Sequence, residues 1–218
     1  MAKFSLNPDY LAATASCIGT EETRYYLRGV FVTPHEDPET GMGVLMVATD
    51  GHRMAIFYDR DGYAERQAIL SMDWKSPVLK SGSGRRVTPL RLFIEADMGT
   101  TYAHNSKKPL ERLGSAVGML PVSEIDGSFP DFWRVLPAVG DPIAIVDGFD
   151  VDYLASFGAA LKRANAGTKA LKVEQYADGG PAWVRSSHED SAFIIMPVRL
   201  RDVGGQPGFL KSGWAKQR

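Results

Sequence analysis

The sequence predicts an α+β fold made of repeated units, each a short helix followed by antiparallel strands. One helix followed by three strand-like runs occurs near the N-terminus, and the same order recurs after residue 150. The strand-like runs are short and separated by turn formers, which suits antiparallel pairing with helices gathered on one face of the sheets. At 218 residues, 44% hydrophobic and 23% charged, the chain has ordinary globular composition, enough for one large domain or two small ones.

In the first unit, Asn7 is placed to cap a helix, Pro8 suits its first position, and Asp9 favours the positive end of its dipole; the helix should reach about Ile18. RYYLRGVFV (24–32) reads as a strand by its aromatic and β-branched content. PHEDPETGMG (34–43) reads as an exposed connection. VLMVA (44–48) and RMAIFY (53–58) form a hairpin around Thr49-Asp50-Gly51, with Gly51 supplying positive φ. A second unit starts near Gln67 with the strand QAILS and a short helical segment capped at Ser76-Pro77, ending by Gly82. Strands follow at 89–96 and around 117–125, the loop between them is not determined, and DGSFPDFWRVLP (126–137) is irregular. In the third unit DPIAIVD (141–147) is a strand, and Asp150 caps a helix whose Leu154, Phe157 and Leu161 share one face. Asn165-Ala166-Gly167 ends it, and strands follow at 170–176, 181–187 and 192–200, the last two joined by the turn SHEDS.

A net charge of −1 gives no global attraction to polyanions, so nucleic-acid contact must come from local asymmetry. The segment from Arg199 onward is basic and reads first as a solvated tail. Cys17 is the only cysteine, which excludes an internal disulfide framework and a multi-cysteine zinc site and fits a reducing cytoplasm. No run approaches the roughly 18 apolar residues of a membrane span, and the N-terminus lacks a signal-peptide core. A soluble cytoplasmic protein with no membrane contact is expected. The four histidines have no helical metal spacing, and no nucleophile elbow or Walker loop is present, so neither metal nor cofactor is expected. SGSGRR (81–86) reads as a flexible connection rather than a phosphate cradle. Asp50 and His52 form the one adjacent acid–base pair, but a tight turn uses such groups to brace its own backbone. Without a converging nucleophile the structural reading prevails, and the chain is not expected to be an enzyme.

RYYLRGVF, VATDGHRMA, DGSFPDFWRVLP and FIIMPVRL, in this order, resemble the bacterial sliding clamp, the beta subunit of DNA polymerase III. On that resemblance, residues 1–137 correspond to the clamp's middle domain, 138–200 to the second half of its last domain, and 201–218 form a basic tail. The resemblance implies a DNA-clamp-like fold with helices toward DNA and sheets outside, no catalytic residues, and a groove that takes short apolar peptide motifs. One wall of the groove would be Leu27, Thr49, Gly51, His52, Arg53 and Met54; the other would be Pro137, Tyr153, Met196, Pro197, Val198 and Arg199. Met54, Met196 and Val198 suit an adaptable apolar surface, and Gly51 lets a peptide backbone approach. Arg24, Tyr25 and Tyr26 match the segment near DNA, joined by Lys75, Lys80, Lys162 and Arg163 on the inner helices. With so few cations, contact with double-stranded DNA should be weak, not sequence-specific and salt-sensitive. The implied function is a polymerase processivity factor that tethers DNA polymerase or repair proteins. Family clamps are rings that this chain's units do not complete alone, so a homo-oligomer is expected. The alternative is a clamp mimic that binds the peptides without encircling DNA.

Overall fold

The computed structural model describes residues 3–79, 91–97, 100–106, 119–137, 148–167 and 170–198. The expected strand at 141–147, SGSGRR, Lys80, Arg199 and the tail lie outside the described residues.

Among the described residues, twelve strands and two α-helices follow the chain in this order: β1 (Phe4–Leu6), α1 (Pro8–Thr14), β2 (Val30–Asp37), β3 (Gly41–Thr49), β4 (Arg53–Asp59), β5 (Tyr63–Ala64), β6 (Ala68–Met72), β7 (Arg91–Asp97), β8 (Thr100–Ser106), β9 (Met119–Glu124), α2 (Val151–Arg163), β10 (Lys172–Gln175), β11 (Ala182–Arg185) and β12 (Ser191–Ile195). The strands join in one antiparallel order, β10-β11-β12-β4-β3-β2-β6-β9-β8-β7-β1-β5. The third unit therefore continues the sheet of the first. Ser191–Ile195 of β12 pair with Phe57–Arg53 of β4.

Both helix starts form where the residues dictate. The Asn7 side chain accepts from the amides of Asp9 (3.0 Å) and Tyr10 (3.2 Å), and Asp150 does the same for Asp152 (2.8 Å) and Tyr153 (3.3 Å). α1 passes into a 3-10 turn at Ala15–Cys17, so the helical segment ends close to the expected Ile18. α2 ends at Arg163, and Asn165, with a positive φ of 55°, begins the turn away.

The two helices lie against one face of the sheet. Leu11, Ala12 and Ala13 from α1 and Phe157, Ala160 and Leu161 from α2 share a core with Val44, Met46 and Ala48 of β3, Ala55 and Phe57 of β4, and Phe193 and Ile195 of β12. Alternation sends Leu45, Val47, Met54 and Ile194 to the opposite face, where Phe132 covers them. With both faces covered, β3 reads as an unbroken apolar run.

Several expectations are corrected. The strand placed at 24–32 begins only at Val30, because Tyr25–Leu27 form a 3-10 turn closed by Leu27 N–H to Arg24 O (2.8 Å) and Arg28 N–H to Tyr25 O (3.0 Å). The connection at 34–43 is mostly strand, since His35, Glu36 and Asp37 pair with Gly43, Met42 and Gly41. Pro34 is tolerated because β2 pairs with β6 only over Val30–Val32, leaving an edge beyond. The helical segment at Ser76-Pro77 is a single 3-10 turn, Pro77–Leu79. β8 occupies the undetermined loop; its Thr, Asn and Ser content reads as a turn, but it is paired on both sides by β7 and β9. The two short strands β1 and β5 were not expected either, and they pair with each other at the sheet's end.

α1 also contacts the SHEDS turn. The Tyr10 hydroxyl donates to Asp190 Oδ2 (3.3 Å) and lies 3.2 Å from His188 Nε2, while the buried His188 Nδ1 has no hydrogen-bond partner among the described residues. Burial holds the His188 pKa below its ordinary value, with Asp190 opposing the shift. A histidine that binds its proton more weakly when folded stabilises the fold above its unfolded pKa, and that contribution is lost as pH falls. Thermal melts should therefore show declining stability from about pH 7 toward pH 5, and the decline should be shallower in His188→Asn.

Candidate functional site: a groove across the β4–β12 junction

The groove's floor is set by strand register. Thr49 of β3 pairs with Met54 of β4, and Met54 pairs with Ile194 of β12, making one row across three strands on the face away from the helices. Pairing continues past β12, where the Met196 amide donates to His52 O (2.9 Å) and holds Met196 beside the turn. Leu27 approaches from the 3-10 turn, fixed by the Gly19 amide on its carbonyl (2.8 Å). Phe132 and Val135, on another 3-10 turn at Phe132–Val135, close the other side.

These residues enclose a cavity of about 410 Å³, with Thr49, Gly51, His52 and Arg53 along one edge and Arg24, Tyr26, Pro130 and Asp131 completing the lining. Leu27, Met54, Ile194 and Phe132 are buried, whereas Met196 and Val135 keep 40% and 47% of their surface exposed. An apolar floor beneath an exposed apolar rim suits an apolar side chain entering from solvent.

The turn is braced by Asp50. Its Oδ1 accepts from the amides of His52 (2.9 Å) and Arg53 (3.0 Å), and its Oδ2 from Arg53 Nε (3.0 Å). The carboxylate is thus committed to the backbone and to Arg53, not to the His52 ring. Thr49 Oγ1 donates to Arg53 O (2.8 Å) and accepts from the Gly51 amide (3.0 Å). Gly51 has φ +92°, a conformation that calls for glycine, whereas the atom nearest a Cβ there, Arg24 Nη1 at 2.8 Å, is the end of a flexible side chain that can move aside. Arg53 reaches α2, donating to Ser156 Oγ, with its guanidinium carbon 4.7 Å from the Tyr153 ring centroid. Arg53 and Asp50 side chains are only 16% and 18% exposed, so this pair links the turn to the third unit from a largely sheltered position.

Of the residues expected in the groove, Leu27, Thr49, Gly51, His52, Arg53, Met54 and Met196 line one cavity. Tyr153 lines an adjoining cavity of about 260 Å³ that shares Arg24, Leu27 and His52, and its ring stacks near His52 (6.3 Å). Burial and the Asp50 and Asp150 carboxylates raise the Tyr153 pKa. Pro137 lies outside the lining and accepts from Trp183 Nε1 (3.1 Å). Pro197 is also outside it, and Val198 donates its amide to Gly148 O (2.8 Å).

Arg24 and Tyr26, assigned to DNA, line the groove, and Arg24 pairs with Glu21 (3.2 Å). Tyr25 is 51% exposed and packs edge-on against Tyr26 (5.7 Å). Tyr25 also borders a cavity with Arg28 and Trp74. Lys75 is exposed, and Arg163 donates to the carbonyl of the preceding residue, Trp74 (3.1 Å). Lys162 is exposed on α2. Sequence reasoning missed Phe132, Val135, Pro130, Asp131 and Ile194. Ile194 was within reach, being two residues before Met196, on the same face of an extended chain.

Among the described residues no cluster of three or more His, Cys, Asp or Glu side chains is arranged to hold a metal ion, and no helix is long and apolar enough to cross a membrane. Cys17 is buried, which pushes its thiol up to about 12.

No protein-family model matches the chain. The beta sliding clamps of two Caulobacter vibrioides strains, NA1000/CB15N and CB 15, are each 32% identical to it over 160 residues, which is 69% of this chain and 38% of the relative. The match thus spans well under half the length of these curated relatives. Among solved structures, a DnaN sliding clamp from Bartonella birtlesii bound to griselimycin shares the fold at a TM-score of 0.62 and 20% identity, covering 91% of this chain and 66% of that one. A DNA polymerase sliding clamp from Pseudomonas aeruginosa, solved with a ligand, does so at 0.61 and 20%, with the same coverage. The antiparallel sheet with helices on one face agrees with these comparisons, and the chain is a relative of the bacterial beta sliding clamps.

Proposed function

We propose that this protein is a non-catalytic, clamp-like processivity factor that holds partner proteins by short apolar peptide segments in the groove across the β4–β12 junction. The observation that carries this reading is the convergence of Leu27, Met54, and the pair Ile194 and Met196 from three separate segments onto one apolar cavity. A groove of adaptable methionines above a glycine turn fits apolar anchors of a peptide rather than a reacting substrate. The partners would be DNA polymerase or repair proteins, with weak contact to double-stranded DNA that does not read sequence. The groove assignment for Pro137, Pro197, Val198 and Arg199 and the DNA assignment for Tyr25, Lys75, Lys80, Lys162 and Arg163 belong to the same reading. So does the correspondence of 1–137 and 138–200 to a whole and a half clamp domain.

The ring version requires a homo-oligomer. Sedimentation and native mass spectrometry should find a closed assembly that is retained on circular DNA and released when the DNA is cut. Fluorescence anisotropy should find binding of a labelled apolar peptide. Absence of peptide binding would end the groove reading, and a monomer that does not stay on circular DNA would end the ring. One observation favours the narrower alternative, a module that binds peptides without encircling DNA. α1 carries no Lys or Arg and exposes none of its residues strongly, so it offers little to phosphate.

A further inference from the structure

We propose that the cavity on the far side of Pro130–Asp131–Phe132 is a second docking site, which takes a lysine- or arginine-bearing flank of the same partner peptide. This rests on the groove binding peptides at all. The cavity is larger than the groove, about 720 Å³, and shares Pro130, Asp131 and Phe132 with it. One extended segment crossing those three residues would touch both.

Its chemistry differs from the groove's and selects the occupant. Three carboxylates, Glu124, Asp126 and Asp131, line it against one guanidinium, Arg66. Arg66 is committed to Glu124 by two parallel hydrogen bonds of 2.6 and 2.7 Å, which hold the Glu124 carboxyl below its usual range. Asp126 and Asp131 remain, both exposed, and neither carboxylate has a hydrogen-bond or ion-pair partner among the described residues. Beside them the rings of Phe31 and Phe129 stack at 4.9 Å, and Trp133 keeps 52% of its surface exposed. Flat rings bordering free carboxylates suit the aliphatic stem and charged head of Lys or Arg, and they repel phosphate. The cavity's continuity with the groove and its charge together favour a cationic peptide flank over nucleic acid or an acidic segment.

The test uses the full chain and labelled peptides with a common apolar core, flanked on either side by two lysines or by two glutamines. At low salt one lysine-flanked peptide should bind roughly 3- to 10-fold more tightly than its glutamine counterpart, and the advantage should vanish toward about 0.5 M salt. Asp126→Lys, a position outside the groove's lining, should remove the advantage. Equal affinity for lysine- and glutamine-flanked peptides, or an advantage that survives Asp126→Lys, would overturn the proposal while leaving the groove intact. If no peptide binds, the groove reading fails and takes the proposal with it. If the advantage is seen only after residues 199–218 are removed, the occupant is the chain's own basic tail and the proposal is overturned.

Discussion

Met54→Glu is expected to weaken binding of an apolar peptide by at least about 100-fold, because it puts a carboxylate in the centre of the groove floor with no cation to receive it. Met54 is 5% exposed and pairs with Thr49 on one side and Ile194 on the other, so an anchor entering the groove meets this position directly. The two cations along the edge are already engaged. Arg53 is held by Asp50 and Ser156, and Arg24 by Glu21. A buried charge also loads the fold, so Met196→Glu serves as the companion variant. Met196 is 40% exposed on the rim, where a carboxylate stays hydrated, and thermal melts should be near wild type. Binding by Met196→Glu should still fall by roughly 10-fold, since the rim loses an apolar contact. Wild-type affinity in both variants, measured by anisotropy, would show that the peptide sits elsewhere.

Asp59→Ala should cost about 3–5 kcal/mol of folding stability. The Asp59 side chain is 4% exposed and closes β4. Its oxygens accept from Arg91 Nη1 (3.0 Å) and Nη2 (2.8 Å) and from the Asn7 amide just before α1 (2.7 Å). Arg91 in turn donates to Ser5 Oγ (3.1 Å) and Ser5 O (2.7 Å). One carboxylate therefore connects the end of β4, the cap of α1 and the start of β7. Removing it strands the Arg91 guanidinium in a site only 16% open to water. Urea unfolding reads the loss directly. The double variant Asp59→Leu with Arg91→Met should recover much of it, because neither change then leaves a partnerless charge. A single-variant loss below about 1 kcal/mol would mean that solvent reaches the pair freely.

What the sequence made legible was what local chemistry decides. Asn7 and Asp150 cap their helices through amides two and three residues ahead, and Gly51 turns the chain by its own φ. Tyr25–Leu27 misled because aromatic content favours strand, while the local i to i+3 hydrogen bonds and the Gly19 bond to Leu27 O hold a turn. β8 was hidden because its polar residues are held by neighbours on both sides, a tertiary effect that no window of sequence contains. The site divides in the same way. The VATDGHRMA wall and Met196 were legible as motif residues, and Phe132 lies within a stretch singled out by resemblance. Its place in the groove depends on the 126–137 segment folding over the outer face of the sheet, which irregular sequence does not announce. The row Thr49–Met54–Ile194 depends on a register between distant parts of the chain.

That register also covers one side of β4. β12 is what occupies the free side of β4, so a chain cut before Ser191 would present Arg53–Phe57 as an open edge with Met54 and Ile56 alongside. Such an edge invites strand addition by another copy, and the cut protein should aggregate before it shows any simple loss of affinity. The segment that completes the binding surface is thus the same one that covers the apolar flank of β4.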